Sequence, residues 1–333
     1  MYQNIVFKSV GTYHPSTQRK NSFYVRHFKS MGIDVSGLVD HLGRNTRCVV
    51  KSKSENTVTM AYHAALKALQ AAGISSTEID IIIFGTDSPE KLVPSNALLL
   101  HDKLSTVNAH QIFDMNSNCI GMLSAIDVAA RLLLTNHRIS KALVVGSFMG
   151  SRISSSEDPV CYSNMADAAA AVILEKVEEP DRRGFIDTNF KTDPVVKDAF
   201  QFPVCGLAEL LDNETAAEEK KLKLIPFDTS FICQEWVQLM QVLFERYNIS
   251  KHNIKQYFFS QFSKPDAETT LGLMSVGLDK YTYIGNKYGY TGLTSPILAY
   301  NEALQNRVID TGDYVMFCSV GAGYNICALL YRL

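Results

Sequence analysis

One cysteine in the sequence stands where a reactive thiol would be expected. Cys119 follows a short apolar run and a turn of small polar residues, Asn116 to Asn118, and an apolar stretch with helical spacing begins directly after it. The unpaired amides and the dipole of a helix N-terminus stabilise an anion, so this position predicts a thiol pKa lowered toward that of a reactive thiolate. A buried structural cysteine that packs as a small hydrophobe is the alternative, and the local pattern alone does not separate the two.

Short apolar runs alternate with longer segments of helical periodicity, which predicts an α/β fold with buried strands. In the first half we expect strands at 5–9, 79–85, 111–115, 142–146 and 169–174, and helices at 58–72 and 120–135. In the second half we expect helices at 231–247 and 295–305, and strands at 257–260, 314–319 and 325–331. A charged loop at 178–184 predicts two α/β halves, 1–178 and 179–333. Residues 185–226 are expected to be irregular and to wall a binding tunnel.

The composition argues against several classes of function. The chain has 333 residues, 46% of them hydrophobic, and a formal net charge of -2 without a long basic run, so a nucleic-acid partner has no electrostatic support. Its seven cysteines are scattered without a CxxC pair, and its eight histidines have no HExxH spacing. We therefore expect neither a disulfide framework nor a metal site. The start of the chain lacks signal-peptide features, and we expect no apolar run to approach the ~18 residues that a membrane span needs, which favours a cytoplasmic protein.

Five segments resemble, in the same order, the ketoacyl-ACP synthase III group of the thiolase superfamily. Residues 80–88 with 93–95 are similar to its second core strand and dimer-forming loop, and 118–121 to its nucleophile turn. Residues 142–147 and 165–172 resemble the next strand and a Gly-Asp segment, and 320–324 resemble a C-terminal glycine loop. The common order of these segments is specific for the superfamily. The resemblance implies an α/β fold with a duplicated, five-layer α-β-α-β-α architecture.

The resemblance also implies a function and a set of residues. Cys119 would take an acyl group from a CoA or acyl-carrier-protein thioester, and the backbone amides of Cys119 and Ala322 would form an oxyanion hole. Val93 would project across a dimer interface toward the neighbour's acyl pocket, while Gln261 and Tyr324 would contact the substrate. The implied enzyme needs no cofactor besides its thioester substrate. It would form a homodimer, or a heterodimer with a related synthase.

Two catalytic positions differ from those of the group. Ser260, which precedes Gln261, stands in place of its histidine, and Tyr290 stands in place of its asparagine; the two lie 30 residues apart, as in the group. Asn286 takes the asparagine's place only if the loop is shifted. Serine is not a general base near neutral pH, and tyrosine does not reproduce the donor geometry of an amide. Ordinary decarboxylative condensation is therefore not expected.

Asp87 is a candidate replacement for the missing base. It lies in Thr86-Asp87-Ser88, where the related HMG-CoA synthases have a glutamate general base at the same interval before the cysteine. A carboxylate buried beside a thiol would have a raised pKa, suited to removing a proton α to a carbonyl. The alternative is an aspartate at a strand end that caps the next turn. A second aspartate, Asp167, is expected to hydrogen-bond backbone in a structural role.

Two functions from different classes follow. The first is an acyltransferase or condensing enzyme with an acyl-Cys119 intermediate, in specialised lipid, polyketide or signal-molecule biosynthesis. The second is a degenerate partner subunit that stabilises an active homologue, which the loss of two catalytic groups favours and the retained cysteine opposes. The group's CoA-contacting residues are also replaced, by Gly37, His41 and Leu42, which favours a carrier protein or an unusual thioester as donor.

Overall fold

The computed structural model describes residues 1–333. The strands are β1 Tyr2–Tyr13, β2 Gln18–Lys20, β3 Thr46–Cys48, β4 Ile81–Gly85, β5 Gln111–Met115, β6 Lys141–Met149, β7 Asp167–Glu179, β8 Gly184–Val196, β9 Phe200–Gln201, β10 Lys223–Leu224, β11 Ile254–Phe259, β12 Tyr314–Gly321 and β13 Gly323–Arg332. The helices are α1 Asn21–Lys29, α2 Ser36–His41, α3 Thr57–Ala72, α4 Asn96–Leu104, α5 Gly121–Thr135, α6 Gly150–Ile153, α7 Pro159–Asn164, α8 Phe231–Tyr247, α9 Lys264–Leu273, α10 Gly285–Tyr288 and α11 Ser295–Gln305.

Two main sheets divide the strands between the two halves of the chain. The first has the order β1-β7-β6-β4-β5, with β4 parallel to β5 and β6, and β7 antiparallel to β6 and β1. The second has the order β11-β12-β13-β8, with β11 parallel to β12 and the remaining pairs antiparallel. Strands β7 and β8 follow each other along the chain, so it passes from the first sheet to the second between Glu179 and Gly184.

Helices cover both sheets and separate them. Helix α5 contacts strands of both sheets, and α11 contacts β1 of the first sheet and β11 and β12 of the second, so these two helices lie between the sheets. Helices α3 and α4 pack on the outer face of the first sheet, and α8 and α9 pack on the outer face of the second. Three apolar cores fill the spaces between these layers. The order of layers is α-β-α-β-α, which confirms the predicted fold class.

Strand β4 shows why short apolar runs become central strands here. Its side chains are fully buried on both faces, as expected for a parallel strand covered by helices on each side. Ile81 and Ile83 pack in the core that contains α5, whereas Ile82 and Phe84 pack in the core formed with α3 and α4. The strand therefore ends with its carboxyl end fixed between two helical layers, next to the start of α5.

Most predicted elements are present, and one stretch was predicted wrongly. The expected irregular region 185–226 begins with the long strand β8, whose second half is largely exposed at a sheet edge. Its exposed polar residues hide the alternating pattern that marks a buried strand. The region beyond Val196 contains only the short β9–β10 hairpin, as expected for a mostly irregular wall.

Contrary to the expectation from the sequence, one helical segment is long and apolar enough to cross a membrane by length and composition. It spans Asn118–Thr135, and 67% of it is buried within the protein. This segment contains α5, which contacts both sheets in the central layer. Its hydrophobicity follows from burial between the two sheets, and the exposed residues Arg131 and Thr135 lie near its C-terminal end.

Candidate active site

The backbone around Cys119 is fixed by contacts with the β12–β13 hairpin. Cys119 lies in a 3₁₀ turn, Asn118–Ile120, that leads directly into α5, so its predicted position at a helix start is confirmed. The Ser319 hydroxyl donates a hydrogen bond to the Cys119 carbonyl at 2.8 Å. A Cβ atom at Gly321 would lie 3.1 Å from the Ser117 carbonyl oxygen and 3.4 Å from the Cys119 nitrogen, so the two turns pack backbone to backbone.

Cys119 lies on the wall of an apolar cavity of about 280 Å³. Its residue is 7% exposed, and Ser260, Tyr290 and Ala322 line the same cavity. Much of the remaining wall is apolar and includes Phe200, Leu224, Phe227, Ile232, Trp236 and Phe262. The cavity thus gives an apolar ligand a route to the sulfur, which a cysteine sealed in core packing would lack.

Ser260 and Tyr290 both line this cavity, although they follow different elements of the chain. Ser260 follows β11 and donates its backbone N–H to the Cys318 carbonyl at 2.7 Å. Tyr290 pairs with Met165 in an isolated β-bridge, and its carbonyl accepts the Ala166 N–H at 2.8 Å. The Ser260 hydroxyl donates to the Tyr290 hydroxyl at 3.2 Å, and Tyr290 and Cys119 lie beside each other on the cavity wall.

The thiol of Cys119 is neutral at rest, so the prediction of a lowered pKa is wrong. Burial raises the pKa of Cys119 to about 12, and the negative charge of Asp87 adds to the rise. The neighbouring Tyr290 hydroxyl opposes the rise without overcoming it. Desolvation outweighs the field at the helix start because the thiol is enclosed by the surrounding protein. Nucleophilic attack therefore needs a group that takes the thiol proton.

Asp87 provides a carboxylate near this thiol. It follows β4, and its Oδ1 is buried without a hydrogen-bond partner, although the residue as a whole is half-buried. Burial raises the pKa of Asp87 to about 6, and the charge of Asp87 raises the pKa of both Cys119 and Tyr290. The capping alternative does not account for this oxygen, because the Ser88 N–H donates to Thr86 Oγ1. Asp87 is not among the residues that line the cavity.

Asp167, at the start of β7, has the structural role expected from the sequence. Its carboxylate accepts hydrogen bonds from the backbone N–H groups of Val50 at 2.6 Å and Ser151 at 2.8 Å, and from the Ser151 hydroxyl. Through these hydrogen bonds, Asp167 connects the turn after β3 to α6.

Four residues predicted to bind substrate do not line the cavity of their own chain. The Gln261 amide donates to the Phe259 carbonyl at 2.9 Å and accepts the Ile284 N–H at 3.0 Å, so it is used in holding two turns together. The Asn286 carbonyl accepts the Asn45 N–H at 3.3 Å, and the ring centroids of Tyr324 and Phe231 lie 4.5 Å apart. None of these three residues lines the cavity, and their predicted contact with substrate stays a prediction.

Val93, the fourth of these residues, is 88% exposed on the loop between β4 and α4. Its predicted contact with a neighbouring subunit stays a prediction. Ala322 does line the cavity beside Cys119, as a donor to an oxyanion there would have to. The role of the Cys119 and Ala322 amides likewise stays a prediction.

The apolar part of the wall contains residues that the sequence alone did not single out. Trp236 on α8 lines the cavity and donates its indole N–H to the Ser319 carbonyl at 3.2 Å, next to the hydroxyl that holds Cys119. Phe262 packs edge-on against the Tyr290 ring at 5.1 Å. Phe200, Leu224 and neighbouring residues confirm that the region up to 226 contributes to the tunnel wall. Trp236 is the one tryptophan of the chain, which was its only signal.

Similarity to known proteins agrees with this architecture. Two family models match the chain: 3-oxoacyl-[acyl-carrier-protein] synthase III at residues 113–194, and the C-terminal domain of the same family at residues 244–333. Together they cover more than half of the chain.

Individual relatives extend the match to most of the sequence. A β-ketoacyl-[acyl-carrier-protein] synthase III of Clostridium kluyveri is 25% identical over 286 residues, which is 85% of this chain and 86% of that protein. One of Wolbachia pipientis is 29% identical over 82% of this chain and 83% of its own length. The crystal structure of 3-oxoacyl-[acyl-carrier-protein] synthase III from Aquifex aeolicus superimposes with a TM-score of 0.86 at 20% identity, over 100% of both chains. The chain therefore belongs to the ketoacyl-ACP synthase III-like proteins of the thiolase superfamily, a group of acyl-thioester condensing enzymes.

Proposed function

We propose that this chain is an acyltransferase that carries an acyl group on Cys119 and uses Asp87 as its base. The observation that carries the proposal is the convergence of Cys119, Ser260 and Tyr290 on one apolar cavity, with the unpaired carboxylate oxygen of Asp87 close to the thiol. A scaffold protein has no need of an accessible thiol or of an unpaired buried carboxylate.

The first step loads the cysteine. The carbonyl carbon of an acyl thioester exchanges its bond to the donor sulfur for a bond to Cys119 Sγ. The thiol proton passes to the Asp87 carboxylate, and from there to the departing sulfur, so that the donor leaves as a thiol. A base is required because the pKa of Cys119 is about 12, and the pKa of Asp87, about 6, leaves that carboxylate ionised at neutral pH.

The second step forms a carbon–carbon bond. Asp87, again ionised, takes a proton from the α-carbon of a second acyl thioester that extends past Cys119 to reach this carboxylate, and the resulting carbanion attacks the carbonyl carbon of the acyl-Cys119. The bond to Cys119 Sγ breaks, and the sulfur recovers its proton from Asp87. The hydroxyl groups of Ser260 and Tyr290 are donors for the substrate oxygen that gains charge. No carboxyl group needs to be lost, which suits a site without the group's histidine and asparagine.

The charge of the cavity lining bears on the identity of the donor. His41, Leu42 and Asp266 line this cavity. Phosphate groups are bound by cationic side chains, so the carboxylate of Asp266 disfavours a phosphate-binding cluster here. We infer an acyl-carrier protein, or a CoA thioester held without strong phosphate contacts, as the donor. The expected setting is a cytoplasmic homodimer, or a heterodimer with a related synthase, that acts in specialised lipid, polyketide or signal-molecule synthesis.

The direct test of the proposed function is intact-protein mass spectrometry after incubation with acyl-CoAs and acyl-carrier proteins of different chain lengths. We expect a mass increase equal to the acyl group in the wild type and none in Cys119→Ala. An adduct that persists in Cys119→Ala would contradict the proposed nucleophile. Unmodified wild-type protein with every donor would favour the degenerate partner subunit instead.

A further inference from the structure

A single buried arginine joins the two chain segments that supply the hydroxyl groups of the site. Arg44 lies between α2 and β3 and is 1% exposed. Its guanidinium makes four hydrogen bonds, all of them to neutral acceptors, and it forms no ion pair. A buried cation without a carboxylate is costly, so its neutral partners must be numerous and well placed.

The first segment held by Arg44 is the turn that begins with Ser260. Its Nη2 donates to the carbonyl of Gln261 and, at 2.8 Å, to the carbonyl of Phe262. These are the two residues directly after Ser260, whose own N–H is bound to the end of β12. The turn is therefore held from both sides of the Ser260 hydroxyl.

The second segment is the one that positions Tyr290. Arg44 Nε donates to Asn164 Oδ1 at 2.6 Å, and the Asn164 carbonyl accepts the Tyr290 N–H at 3.0 Å. The Asn164 side chain also approaches the Phe262 carbonyl at 3.4 Å, so it lies between the two segments. One guanidinium thus sets the separation between the backbones that carry Ser260 and Tyr290.

A third contact anchors the guanidinium itself. Arg44 Nη1 donates to the Tyr283 hydroxyl at 2.5 Å, and that hydroxyl donates to the Leu42 carbonyl at 2.8 Å. The space around Nη1 is full, because a Cβ atom at Gly285 would lie 2.0 Å from it. The arginine side chain therefore cannot move without displacing both segments.

We propose that Arg44 is a positioning residue that keeps the Ser260 and Tyr290 hydroxyls in hydrogen-bonding contact and so holds the Tyr290 hydroxyl against Cys119. The inference rests on the proposed roles of Cys119 and Tyr290. Arg44 does not line the cavity and touches no substrate. It acts on the thiol through Tyr290, whose hydroxyl stabilises the thiolate by donating to it.

The chain contains a matched control three residues away. Arg47 is also fully buried and forms no ion pair; its Nε donates to the Ser163 carbonyl at 2.6 Å, and its guanidinium stacks over Tyr24. It makes no hydrogen bond to the turn after Ser260. Loss of either arginine should loosen the core, but only loss of Arg44 should release Tyr290.

The test is the rate at which iodoacetamide alkylates Cys119 between pH 8 and 10, measured on the Cys119 peptide by mass spectrometry. We expect Arg44→Met and Tyr290→Phe each to slow alkylation about tenfold, because one unit of increase in the thiol pKa lowers the thiolate fraction tenfold. The double variant should be no slower than Tyr290→Phe, since both changes remove the same hydrogen bond. Arg47→Met should stay within about twofold of the wild type.

Three results would overturn the inference: alkylation of Arg44→Met at the wild-type rate, equal slowing in Arg47→Met, or effects of Arg44→Met and Tyr290→Phe that multiply in the double variant. If Arg44→Met does not fold, Arg44→Lys replaces it; lysine keeps the charge but cannot reach all four acceptors, so slower alkylation is again expected. Iodoacetamide needs no acyl donor. Failure of the proposed acyl transfer therefore leaves this test intact, and the two failures are distinguishable.

Discussion

Asp87 and Asp167 are two buried carboxylates of the first half with the same direction of pKa shift and opposite surroundings. Burial raises the pKa of each to about 6. Two backbone N–H groups and a hydroxyl donate to Asp167, whereas Oδ1 of Asp87 has no partner. A raised pKa alone does not identify a functional carboxylate. The unpaired oxygen near a nucleophilic sulfur does, because a structural carboxylate is retained for the donors that it satisfies.

Of the two aspartates, Asp167 should contribute more to stability, because its carboxylate accepts hydrogen bonds from buried donors. Asp167→Ala leaves the N–H groups of Val50 and Ser151 buried without an acceptor, which should lower the free energy of unfolding by about 2–4 kcal/mol. Asp87→Ala leaves no buried donor unpaired and should change it far less. Urea unfolding of both variants measures the contrast. Equal destabilisation would mean that Asp87 also has a structural role.

For Asp87→Asn we expect a smaller change in the free energy of unfolding, and an increase instead of a decrease. The folded-state pKa of Asp87 lies above its unfolded value of 3.8, so wild-type stability falls as the pH rises from about 4 to about 6, and the cost persists above that range. The substitution removes this cost and should stabilise the protein at pH 8 by about 1–2 kcal/mol, allowing for partial exposure of the residue.

The pH dependence of the stabilisation by Asp87→Asn distinguishes the removal of a buried charge from a change in side-chain packing. Thermal unfolding at pH 8 should show a higher Tm for Asp87→Asn than for the wild type, and the difference should vanish below about pH 4, where the wild-type carboxylate is protonated in both states. A gain that is the same at both pH values would have another origin than the buried charge.

The sequence was a better guide to the location of the site residues than to the pKa of the Cys119 thiol. The turn before Cys119 and the apolar run of β4 that ends just before Asp87 could be predicted from local patterns. The positions of Ser260 and Tyr290 came from the resemblance to the synthase III group. The raised thiol pKa could not, since it depends on how deeply α5 and the β12–β13 hairpin bury the sulfur. Local context gave only the helix start, which acts in the opposite direction.

The directions in which side chains point could not be predicted from the sequence either. Gln261 and Asn286 lie in the expected turns, but Gln261 uses its amide to join Phe259 and Ile284. Arg44 showed no signal because its partners lie far away in sequence: Asn164, Gln261 and Tyr283. These contacts exist only after the two sheets have packed against α5 and α11.

The central claim is that the unpaired carboxylate of Asp87 takes the proton of Cys119. The rate of acyl-Cys119 formation, followed by rapid quenching and mass spectrometry from pH 5 to 8 with a donor that loads the wild type, tests it most directly. We expect the wild-type rate to rise with pH, with its midpoint at about pH 6, and then to level off, and Asp87→Asn to lose this rise and to load about 100-fold more slowly. Loading of Asp87→Asn at the wild-type rate, with the same dependence on pH, would contradict the account.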